Sequence, residues 1–272
     1  MITVNGMAYH VTLTGHGEPL ALLHGFTGSS ASWGELIGWL SGYFTVIAVD
    51  LPGHGMTDAP SDPARYAMPR VAADLRALFR ACGADAPHLV GYSMGGRLAL
   101  YYALHHPVRS LMLESASPGL ADADERAARK AADDVLADEI ERDGVAAFVE
   151  RWEALPLFAS QARLPETVRE AQRAIRLANR PHGLANSLRG MGTGVQPSLW
   201  GRLGELNVPV LLLCGALDEK FTAIARAMSG RIRDARLNTL PDAGHTVHLE
   251  QPLQFRDALL RFVRDAGRRR MV

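Results

Sequence analysis

Ser93 lies in Gly91-Tyr92-Ser93-Met94-Gly95-Gly96, between an apolar run over residues 88–90 and helical periodicity that begins at Met94. A GxSxG pattern in that setting describes a tight strand-to-helix turn that carries a nucleophilic hydroxyl on a strained backbone. Gly91 and Gly95 suit the turn because neighbours without a Cβ let the chain approach itself closely. A serine hydroxyl acts only after losing its proton, so a base must follow, and Gly244-His245 supplies one in a loop after the last apolar run. The group that orients this imidazole should end the preceding strand, where Leu211-Leu212-Leu213-Cys214-Gly215-Ala216-Leu217-Asp218 places a carboxylate. The order serine, aspartate, histidine fits such a turn. His248 competes with His245 as base, and Asp50, Asp58 and Glu219 compete with Asp218 as orienter.

Negative charge that develops during the reaction needs donors. Leu22-Leu23-His24-Gly25-Phe26-Thr27-Gly28 puts a turn directly after a buried strand, so the backbone N–H groups of Phe26 and Met94 are the expected oxyanion hole. His24 is an alternative catalytic candidate, although a histidine before such a glycine more often holds the loop by hydrogen bonds. Asp50-Leu51-Pro52-Gly53-His54-Gly55 reads as another tight loop at the same sheet edge, shaping the pocket. Arg97 stands four residues after Ser93 on the same helix face, where its guanidinium fork suits a carboxylate. The competing reading of Arg97 is a surface ion pair.

These residues need a scaffold. Apolar runs at 19–23, 44–49, 88–90, 110–113, 208–213 and 236–240 alternate with helical periodicity near 31–40, 69–81 and 94–105. That rhythm predicts an α/β fold with a mostly parallel central sheet flanked by helices. Residues 117–204 break it with helical segments at 124–149 and 165–178 and no strong strand. The expected layout is therefore a core of 1–116 and 205–272, interrupted by a helical cap at 117–204, with a closing helix over 253–265. The Arg268-Arg269-Arg270 run reads as a frayed, solvated helix end.

The chain has 272 residues, 47% of them hydrophobic and 21% charged, enough to bury a sizeable core. Basic and acidic residues balance at 29 each, so no global field draws nucleic acid or an anionic membrane, and neither partner is expected. Only Lys130 and Lys220 are lysines, which leaves 27 arginines, so an arginine is informative only through its position. Cys82 and Cys214 lack metal-ligand spacing and read as reduced and buried. No leader-like start and no membrane-length apolar run is visible, and a cytoplasmic location is expected.

Taken in order, LLHGFTGS, DLPGHG, GYSMGG, CGALDEKF and AGHTVHLEQP resemble the α/β-hydrolase superfamily across nearly the whole chain. A narrower resemblance lies in GYSMGGRL, ESASPGL, MGTGVQPSLW and GALDEKF, which are similar to the 2-succinyl-6-hydroxy-2,4-cyclohexadiene-1-carboxylate synthases of menaquinone biosynthesis. That resemblance implies a lyase that expels pyruvate from a precursor bearing three carboxylates. It further implies that Arg97, Arg129 and Arg176 bind substrate carboxylates and that Tyr92 and Trp152 line the same cavity. Arg129 by itself sits in a charged stretch that reads as a solvated face, and Arg173 or Arg180 can substitute for Arg176 in the match.

In the leading reading His245 keeps Ser93 poised as a base, the serine oxygen removes a ring proton as pyruvate leaves, and neither metal nor organic cofactor is required. Two other classes use the same motifs: a serine hydrolase of esters or C–C bonds, and a small-molecule receptor on the same fold. An apolar pocket would favour the esterase, converging cations the polycarboxylate lyase. Oligomeric state is not legible in the residues.

Overall fold

The computed structural model describes residues 1–270, with side chains through Arg268. A small antiparallel pair, β1 (Ile2–Val4) and β2 (Met7–Tyr9), opens the chain, and β3 (Val11–Gly15) leads into the main sheet. There follow β4 (Glu18–Leu23), α1 (Glu35–Ser41), β5 (Phe44–Val49), α2 (Met68–Ala81), β6 (His88–Tyr92), α3 (Met94–Ala103) and β7 (Ser110–Glu114). The helices α4 (Ala123–Glu153), α5 (Glu166–Leu177) and α6 (Pro181–Met191) come next, before any further strand. Then β8 (Val210–Gly215), α7 (Glu219–Ser229), β9 (Ala235–Leu240), the single turn α8 (Val247–Glu250) and α9 (Pro252–Arg270) complete the fold.

The seven-stranded sheet has the order β3-β5-β4-β6-β7-β8-β9, and every neighbouring pair is parallel except β3 with β5. This is the mostly parallel sheet anticipated from the apolar runs. Strand periodicity divides the core between its two faces. Ala21 and Leu23 of β4 and Leu212 and Cys214 of β8 pack in one cluster, whereas Leu20, Leu22, Leu211 and Leu213 pack in the other. A third cluster joins Ala137, Ile140, Phe148 and Val149 of α4 to Leu184, Ala185 and Leu188 of α6, so these helices share a core of their own.

Two local expectations change. The helix expected over 31–40 is split at Gly34, whose φ of 50° separates a 3-10 turn over Ser30–Trp33 from α1. The long helix expected from 124 continues to Glu153 but bends at Gly144, where φ is 83° and the dihedrals are not helical. Beyond the helix expected over 165–178, α6 starts at Pro181, in the first turn where the missing N–H costs nothing. Cys214 is buried and Cys82 only partly so, and both are free thiols. Arg268 is exposed, while the Arg269 and Arg270 side chains lie outside the described residues. No helix among the described residues is long and apolar enough to cross a membrane.

Candidate active site

Ser93 sits between β6 and α3 with φ 50° and ψ −109°, a left-handed backbone that a residue with a Cβ adopts only under constraint. The constraint is visible in the glycines. A Cβ on Gly91 would lie 2.4 Å from the Gly95 carbonyl oxygen, and one on Gly95 would lie 2.3 Å from that of Leu23. The second contact fixes the end of β4 against the start of α3. A Cβ on Gly25 would meet the Tyr92 ring at 2.6 Å and Ser93 Cβ at 3.5 Å, so the turn after β4 lies directly beside the serine.

The loops that end β8 and β9 converge on the same point. His245 Nε2 is 3.0 Å from Ser93 Oγ, and His245 Nδ1 is 2.6 Å from Asp218 Oδ2. The His245 side chain is 2% exposed and that of Asp218 5%, so the pair works in a low-dielectric setting where its hydrogen bond is strong. Asp218 also caps α7 by accepting the Phe221 N–H at 3.2 Å, which fixes the carboxylate plane. Glu250 accepts the N–H groups of Gly244 and Thr246 on either side of His245 and holds that loop.

The competing candidates face elsewhere. His248 is engaged by Glu114 through its ring and its N–H at 2.8–2.9 Å, and both residues are buried. Asp50 accepts the N–H groups of Ser30 and Met56, Asp58 accepts that of Ala8, and Glu219 is exposed in the first turn of α7. His24 accepts the Leu51 N–H at Nε2 and donates from Nδ1 to the Gly25 carbonyl, which shapes the two loops.

Burial holds His24 below the ordinary imidazole range and pushes His54 down to about 3. Both rings are neutral in the fold, yet each gains a proton near pH 6.5 once unfolded. For His54 the unfolded chain therefore binds more protons between about pH 3 and 6.5, and stability is lost as pH falls through that window, by up to about 1.4 kcal/mol per unit, while His24 adds a loss in the same direction. Urea midpoints at pH 7.5 and pH 5 should show this loss, and His54→Gln should reduce it; an equal loss in the variant contradicts the assignment.

Phe26 occupies the second position of the turn closed by Gly28 N–H to the Gly25 carbonyl at 3.1 Å, and Met94 is the first residue of α3. Thr27, with φ 70°, takes a position that usually goes to glycine. Asn179 clamps it: this buried amide donates to the Thr27 carbonyl at 2.8 Å and accepts the Gly55 N–H at 3.1 Å. The segment between α5 and α6 thereby fastens both pocket loops, a link the residue pattern did not disclose.

Ser93 and His245 open into a cavity of about 450 Å³ walled by Phe26, Tyr92, Met94, Trp152 and Phe158. Arg97, Arg129 and Lys220 line it, and among the described residues no carboxylate does. Arg97 has its pKa lowered to about 10 by burial and by the Arg129 charge; it stays cationic at neutral pH but is poorly compensated. Its Nη1 donates to the Met191 carbonyl and to Gln196 Oε1, both at 2.9 Å and both neutral. Arg129 donates to Asp133 at 2.7 Å. The Trp152 Nε1 donor is buried without a partner among the described residues.

Arg176 is not in this cavity wall. It donates to Glu153 at 2.8 Å, lies over the Phe158 ring, and borders two neighbouring cavities. Arg173 pairs with the same Glu153, and Arg180 donates to the Thr57 carbonyl. Lys220 was not singled out from the sequence, although it is one of two lysines among 29 basic residues and stands two positions after Asp218.

The fold and this arrangement define a class. The α/β-hydrolase fold model matches residues 18–252, and the chain belongs to that family. Within it, the chain is a member of the 2-succinyl-6-hydroxy-2,4-cyclohexadiene-1-carboxylate synthases. It is 34% identical to the synthase of that name from Serratia proteamaculans, over 91% of this chain and 94% of the relative. A Bacillus subtilis protein provisionally given the same name is 49% identical over 93% of this chain and 94% of its own length. MenH from S. aureus superposes with a TM-score of 0.91 at 36% identity, covering 95% of this chain and 98% of the other.

Proposed function

We propose that this enzyme eliminates pyruvate from 2-succinyl-5-enolpyruvyl-6-hydroxy-3-cyclohexene-1-carboxylate to give 2-succinyl-6-hydroxy-2,4-cyclohexadiene-1-carboxylate, in menaquinone biosynthesis, as a cytoplasmic catalyst without nucleic-acid or membrane partners. The observation that carries this reading is the cavity at Ser93, lined by three cations and, among the described residues, by no carboxylate, which suits a substrate with three carboxylates.

His245 takes the Ser93 proton, with Asp218 stabilising the imidazolium. The serine oxygen then removes the proton on ring C2. The C2–H electrons form the C2–C3 double bond, the old C3–C4 π pair moves to C4–C5, and the C5–O bond breaks. The departing enolate collects the proton held by His245 and becomes pyruvate, so protons and electrons balance. Negative charge on the ketone next to C2 meets the N–H groups of Phe26 and Met94. Residues 117–204 act as the cap, bringing Arg129 and Trp152 over the ring, while Tyr92 packs on His245. Arg97 and Arg129 hold carboxylates, and Arg176 borders the site as an outer positive charge.

Purified enzyme given the precursor should release pyruvate and form the diene chromophore. Fast cleavage of aryl esters with no pyruvate from the precursor would overturn the reading in favour of a hydrolase. Lys220 is exposed at the cavity wall, so solvent screens it, and Lys220→Met should raise KM about three- to tenfold with kcat little changed. An unchanged KM excludes it from substrate binding.

A further inference from the structure

Gln196 follows α6 and is 1% exposed. Its Oε1 faces Arg97 Nη1, and because a guanidinium only donates, this contact fixes which end of the amide is oxygen. The Gln196 Nε2 is then a buried donor without a partner among the described residues, near Gly119, where a Cβ would lie 3.2 Å away. Such an orphan costs stability. A glutamate of the same shape would exchange the orphan donor for a carboxylate oxygen and form an ion pair with Arg97. The fold therefore forgoes a stabilising acid at this position.

Arg97 contrasts with its neighbours. Arg129 is paired with Asp133 and Arg176 with Glu153. Asp133, whose charge acts on Arg97, is committed to Arg129 and to the Gly194 N–H. Arg97 Nη1 is committed to the Met191 carbonyl and Gln196, while its Nε and Nη2 have no protein acceptor among the described residues.

We infer that Gln196 tunes substrate recognition through Arg97: it meets the guanidinium with a neutral acceptor, so that the charge stays uncompensated until a substrate carboxylate arrives. The inference rests on the polycarboxylate reading of the cavity. An acid at position 196 would hold the same geometry and cancel the charge, and substrate would then have to compete with it.

Two variants separate this electrostatic role from a simple structural one. Gln196→Glu keeps the contact and removes the net charge, whereas Gln196→Met loses the contact and keeps the charge. Steady-state kinetics with the precursor should show KM raised at least about tenfold in Gln196→Glu and less than about threefold in Gln196→Met, with kcat within about threefold in both. The melting temperature of the glutamate variant should equal or exceed that of the wild type. The reverse order of KM, an unchanged KM in Gln196→Glu, or a glutamate variant that melts lower or does not fold overturns the proposal. A wild-type enzyme that releases no pyruvate defeats the functional reading instead, before any variant is compared.

Discussion

Ser93→Ala should lower kcat for pyruvate release by at least about a thousandfold, since it removes the group that exchanges the proton. His245 and Asp218 keep their mutual contact in the variant, and the cavity keeps its cations, so KM should change little. The backbone adds a second expectation. At φ 50° and ψ −109°, Ser93 stores strain of about 1–3 kcal/mol that alanine shares and glycine relieves. Ser93→Gly should therefore be as inactive as Ser93→Ala and melt higher. Pyruvate release that survives in both variants assigns the proton transfer to another group.

Arg97→Met should produce the largest binding defect. A charged hydrogen bond to a carboxylate contributes about 1.5–3 kcal/mol, and losing it reduces kcat/KM by roughly ten- to 150-fold. The loss should appear mainly in KM, because the carboxylates are bound before and after the C5–O bond breaks. It should shrink in high salt far less than the Lys220→Met effect, since Arg97 is largely shielded from water and Lys220 is exposed. Kinetics at two ionic strengths check both. Equal salt sensitivity contradicts the placement of Arg97 as the inner cation.

The residues that the structure brings together are those whose side-chain direction is set by a local turn. Ser93, Asp218 and His245 each stand one to five residues beyond a strand of the main sheet, and parallel strands deliver their ends to one edge of the sheet. Once the sheet was read correctly, proximity followed. The rivals were separable only in space: His248 looks as good as His245 until Glu114, far away in the chain, takes hold of it.

The helices α4–α6 were less legible because they aim side chains by packing against one another. The bend at Gly144 and the docking of α4 on α6 decide that Arg129 reaches the cavity while Arg176, at the end of α5, turns to Glu153. Neither contact has a signature in the spacing of charges. Gln196 lay inside a quoted motif, yet its role depends on an atom-level contact with α3. The first three strands went unread because they are short, and the alternation of β3 is that of a half-exposed edge strand.

The distinction between base and nucleophile at Ser93 is tested most directly with precursor deuterated at ring C2. Proton removal in the transition state predicts that kcat/KM falls by at least about twofold with the label and that the enzyme's intact mass is unchanged during turnover. A rate indifferent to the label, together with a substrate-derived mass increment on Ser93, contradicts the account and restores the serine as a nucleophile.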